Sequence, residues 1–194
     1  MRLHTASHRW LGHQVDTTGT SRPAELALLL AVAALAALAA LLPATGLPAG
    51  YHDFADQRTL LSLPHALDVL SNLPFAAMGA WGLWWLRRVP VGCIDKAQRG
   101  LAVLFFVGLM ATAFCSSSYH LDPHDAGLCI DRVGMSLAFA GLLGLAAADR
   151  ISARAGVALA ALVAVAAPAT ALVAWLGGNM TPWAVLQGGG AALL

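Results

Sequence analysis

Apolar runs of membrane-spanning length recur along this chain, and they constrain its fold more than any other feature. Segments 24–42, 65–86, 101–120, 126–148 and 156–176 are each close to the roughly 20 residues a helix needs to cross a hydrocarbon core. Inside that core every backbone N–H and C=O must find its partner within the segment, so such runs are helical. A sixth apolar segment begins at Trp183 and continues for roughly a dozen residues, too few to span. Charged residues make up 11% of the sequence and hydrophobic ones 59%, whereas a soluble domain is about one quarter charged. The predicted fold is therefore all-α, a polytopic transmembrane helix bundle of five full spans plus a partial sixth. It forms one domain over 24–194, preceded by a polar tail at 1–23 that reads as disordered. His4, His8 and His13 in that tail are too irregularly spaced for a metal tract.

Lysine and arginine set the orientation. With the N-terminus inside, nine basic residues fall on the inner side, among them Arg87, Arg88, Lys96, Arg99, Arg150 and Arg154. Only Arg58 and Arg132 fall on the outer side, which is the positive-inside pattern. The tail is then cytoplasmic. The net charge of +1, with no basic run, gives no footprint for nucleic acid. Acids and histidines played no part in that count, yet they gather at the outer side: His52, Asp53, Asp56, His65, Asp68, His120, His124 and Asp131.

The densest part of that gathering is the stretch from Ser116 to Asp131, between the third and fourth runs. Ser116 and His120 are four apart and share a helix face. Pro123 then forces a turn, and the next helix carries Asp131 back to a similar depth, about 6–9 Å below the turn. A hydroxyl, an imidazole and a carboxylate thus converge at one end of a helical hairpin. Polar side chains at that depth face a protein interior or a cavity and point to function; a purely structural hydrogen-bonded cluster is the other reading. His124 follows Pro123 and reads as a loop residue. Cys115 and Cys129 flank the hairpin near enough to bridge, although an odd total of three cysteines in apolar surroundings favours free thiols.

These residues resemble the alkaline ceramidases, part of the CREST group of membrane hydrolases. The serine, the histidine four later and the aspartate eleven beyond it are matched by Ser116, His120 and Asp131. The run Asp68-Val-Leu-Ser71-Asn72-Leu-Pro-Phe75 is similar to the family's first core helix, and Tyr51 to Arg58 to the acidic segment before it. Together the matches span roughly 51–183, and the chain reads as a shortened relative of a seven-span core with an extra N-terminal helix. The resemblance implies zinc-dependent hydrolysis of the amide of ceramide or a similar membrane lipid. His120 is then a zinc ligand, while Ser116 and Asp131 are catalytic, with Asn72 supporting them. It also implies a His-x-x-x-His pair in a last helix, and no histidine follows His124. With two zinc ligands missing, the expectation extends to an inactive hydrolase, a CREST-type receptor or binding protein, or a degenerate relative.

The acidic segment has two readings. Asp53 and Asp56 are three apart, one helical turn, and can face a single partner. The resemblance implies that this partner is calcium, with Asp68 as a further oxygen donor. Calcium takes about six or more oxygens, more than the sequence offers here. Arg58 is the alternative partner, in a salt-bridged cap.

Overall fold

The computed structural model describes residues 21–194, so the expected tail lies almost wholly outside it. Seven helices follow in order: α1 (Ser21–Leu41), α2 (Ala66–Leu70), α3 (Leu73–Arg88), α4 (Lys96–Leu121), α5 (Asp125–Arg150), α6 (Ala153–Gly177) and α7 (Thr181–Ala192). No strand forms among the described residues. Helices α1, α4, α5 and α6 are long and apolar enough to cross a membrane.

Helix α5 is the centre of the bundle, packed between α4 and α6. Over half of its apolar window is buried (56%), against none for α1. Hydrocarbon gives helices no hydrophobic reason to associate, so close backbone contact has to supply the attraction. Small residues permit it here. A Cβ on Gly108 of α4 would stand 2.1 Å from the Ala138 nitrogen of α5, and one on Gly156 of α6 would stand 2.5 Å from the Gly144 carbonyl oxygen. Ala140, Leu143, Ala167 and Ala171 complete this core, capped by Trp183 of α7.

The expected second span at 65–86 is not continuous. It is two helices, five and sixteen residues long, broken at Ser71–Asn72. The Ser71 hydroxyl donates to the Asp68 carbonyl at 2.6 Å, and the Asn72 amide donates to the same oxygen at 3.3 Å. Side chains that bond a nearby carbonyl compete with the helical ladder. Pro74 lacks an N–H and crowds the carbonyl four residues before it, so the helix restarts there.

The α4–α5 turn, the loop after α1, α2 and the start of α7 all lie at one end of the bundle. Thr181 locks two of these together. Its hydroxyl donates to the Pro43 carbonyl at 2.7 Å and accepts from the Thr45 N–H at 3.1 Å. At the opposite end the helix termini are capped. Asp95 accepts from Ala97 N–H at 2.8 Å, Ser152 from Ala155 N–H at 3.1 Å, and Arg99 donates to the Leu86 and Val89 carbonyls that end α3. Glu25 of α1 accepts from Ser152 at 2.7 Å and pairs with Arg154.

Candidate functional site

Ser116 is buried on α4, one turn before His120, and Asp131 is buried on the facing side of α5. Ser116, His120 and Asp131 thus all lie at the α4–α5 end of the bundle. No well-formed hydrogen bond closes the group, however. Oδ1 of Asp131 and Nδ1 of His120 are both buried and both without a partner. Oδ2 of Asp68 is in the same condition. Asp68 reaches this end because α2 packs on α4, where the Ser117 hydroxyl donates to the Val69 carbonyl at 3.5 Å. Asn72, only 4% exposed, spends its amide on the Asp68 carbonyl.

A strap formed by the segment before α2 covers the cluster. The Phe54 ring lies 4.7 Å from that of His120, centroid to centroid, and 5.5 Å from that of Tyr119. His52 fastens the strap, its Nδ1 sharing a hydrogen bond with the Tyr119 hydroxyl at 2.8 Å and its Nε2 meeting Asp125 Oδ1 at 2.9 Å. Leu61, Ser62 and His65 all have positive φ, a conformation that is strained for side chains of this kind.

Within the strap the two acids part company, which corrects the expectation of a shared partner. The segment is not helical, so a spacing of three does not align them. Asp53 is exposed, whereas Asp56 is buried with both oxygens engaged. Oδ1 accepts from Arg58 Nε at 2.6 Å and Oδ2 from the Leu67 N–H at 2.8 Å. The guanidinium first, and that N–H second, hold the Asp56 carboxyl below its ordinary range. Arg58 is thus the partner of Asp56, as in the salt-bridged cap, and Asp53 takes no part in the pair.

The described residues do not close a zinc site. Among them no three His, Cys, Asp or Glu side chains stand in reach of one ion. His120 offers a free buried nitrogen. Among the other described imidazoles, His52 is bonded through both nitrogens, while His65 and His124 each donate Nδ1 to a backbone carbonyl, of Asp56 and Asp122. His124 is an exposed residue at the start of α5. All three cysteines are free.

The sequence reading gave no role to Phe54, Tyr119 or Asp125, and counted His52 and Arg132 only as part of the outer side. Arg132 carried a signal that was visible: it is a permanent charge inside an apolar run, and such residues are rarely idle. Phe54 carried none, because only the path of the strap brings it over His120. No protein-family model, curated protein or solved structure matches this chain, so function has to be read from the geometry itself.

Proposed function

We propose that this chain is a ceramidase-like membrane protein whose cluster at the α4–α5 turn acts on the amide of ceramide or a similar long-chain lipid. In this reading α1, α4, α5 and α6 span fully, α2 and α3 together make one broken span, and α7 makes a partial one. The N-terminus lies inside and the cluster faces out, supported by the nine-to-two split of basic residues.

One observation carries the reading: Asp68, His120 and Asp131, from three helices, each keep a buried polar atom without a partner. Leaving such an atom unmade costs about 1–3 kcal/mol, and a fold tolerates that where a ligand completes the bonds. A lipid amide entering from the bilayer offers both a carbonyl acceptor and an N–H donor. The Ser116 hydroxyl would donate to the carbonyl oxygen as charge builds on it, and Asp131 would accept a proton from the attacking water and return it to the amine nitrogen as the C–N bond breaks. The resemblance brings zinc with it. His120 would be one ligand; no three His, Cys, Asp or Glu side chains stand together among the described residues, so no step is assigned to a metal.

The test is fatty-acid release from ceramide by the purified protein in a bilayer, with bound zinc counted in the same preparation. Release is expected, falling about 10²–10⁴-fold in Asp131→Asn. About one zinc per chain would mean that other groups complete the ligand set. Retention of ceramide without release favours a binding protein, the reading that the incomplete metal set supports. Sidedness has its own check. A cysteine placed at Ala55 should be labelled from outside and the native Cys93 only from inside; the reverse pattern sinks the orientation.

A further inference from the structure

Arg132 sits about 10 Å below the start of α5, seven residues in, and is only 5% exposed. Its charge is permanent at any physiological pH. Yet among the described residues no carboxylate pairs with it, not even the adjacent Asp131. Its one hydrogen bond runs from Nη1 to the Met180 sulfur at 2.9 Å, and the guanidinium lies 5.5 Å from the Trp183 ring centroid. A thioether is a weak acceptor and a ring face at that range a modest one. Neither replaces the hydration that a buried guanidinium has given up.

The guanidinium lines a cavity of about 260 Å³ at the same end of the bundle. Leu47 of the loop after α1, Cys129 of α5, Trp175 of α6 and Met180 share its wall. A water's share of liquid volume is about 30 Å³, so the space admits a tetrahedral oxyanion. Asp125 also lines it and opposes an anion. That carboxylate is bonded to His52 Nε2 at 2.9 Å, and its side chain is largely exposed. Its repulsion is therefore partly compensated, while no carboxylate pairs with Arg132 among the described residues.

We propose that this cavity is a phosphate-binding site, in which Arg132 takes the oxygens of a phosphate group in the forked geometry that guanidinium and oxyanion share. The site is separate from the cluster around His120 and stands whether or not that cluster hydrolyses amides. It lies near one end of the bundle, so the phosphate is either that of a lipid headgroup or free in solution.

The experiment uses the full chain in phosphatidylcholine nanodiscs, alone, with phosphatidic acid added to the bilayer, or with inorganic phosphate in the buffer. Thermal stabilisation is titrated in each. A saturable rise with phosphatidic acid alone identifies a lipid headgroup, and a rise with inorganic phosphate identifies a free anion. Arg132→Gln should weaken whichever response appears by about tenfold or more. Asp125→Asn should strengthen it, by removing the opposing charge; a merely structural role for Arg132 does not require this. That second variant keeps the proposal falsifiable if Arg132→Gln fails to fold. No response to either probe in the wild type, or a response that neither substitution moves, overturns the proposal.

Discussion

The two ends of this bundle are built on opposite rules. At the end holding the start of α4 and the α5–α6 corner, the polar groups close on one another: Asp95 and Ser152 cap their helices, Arg99 takes up the last carbonyls of α3, and Glu25 joins α1 to Ser152 and Arg154. At the α4–α5 turn the polar groups lie deeper, and several of them are not satisfied. Asp68, His120 and Asp131 each hold an unpartnered atom, and Arg132 is buried without a counter-ion. One end holds the helices in place. The other holds buried polar groups without partners, and that contrast, more than any single residue, is why it is proposed as the working end.

The largest effect separates the ends by activity. Asp131→Asn should cut lipid-amide turnover about 10²–10⁴-fold, while Glu25→Gln leaves the rate alone; equal losses would erase the contrast. Next comes a satisfied group at the working end. Thr181→Val strands the Thr45 N–H and a bond to the Pro43 carbonyl, and should lower the unfolding free energy by about 1–3 kcal/mol in chemical denaturation. No change would mean that this lock is slack.

A smaller effect depends on pH. The Asp56 carboxyl titrates below its ordinary 3.8 because Arg58 and the Leu67 N–H hold it ionised. A depressed folded value means that its contribution is complete well above pH 3.8 and is lost as pH falls below that towards the folded value. Thermal midpoints followed from pH 6 down through this range should fall more steeply in the wild type than in Asp56→Asn. Parallel curves would show that the pair contributes nothing. The smallest effect is expected for Glu25→Gln on stability, a slight fall that vanishes in high salt, because Arg154 is mostly exposed.

Much of this architecture was legible from hydropathy alone. α1, α4, α5 and α6 follow the apolar runs because hydrocarbon leaves such segments no other way to satisfy their backbones. The break at Ser71–Asn72 was written in the sequence too, in two carbonyl-seeking side chains ahead of Pro74, but an averaged hydropathy passes over it. A glycine run such as 188–190 is unfavourable in a helix interior, yet it is helical here, where Gly189 and Gly190 lie close against the side chains of Leu35, Phe139 and Leu143. The site was legible only in part. Helical spacing brought Ser116, His120 and Asp131 to one end, but the same rule failed for Asp53 and Asp56 once their segment proved irregular. Which buried atoms lack partners follows from packing between distant segments, and no local pattern encodes it.

The claim at the centre of this account is that the working end gives up stability for an unmet partner. His120→Phe tests it most directly, since a ring, slightly larger, still faces Phe54 and Tyr119 while both nitrogens are removed. Unfolding free energy, measured on the protein in bilayers without added lipid amide, should rise by about 1–3 kcal/mol, the cost of the orphaned nitrogen. A fall of that size would show that His120 is bonded after all, and that the two ends obey the same rule.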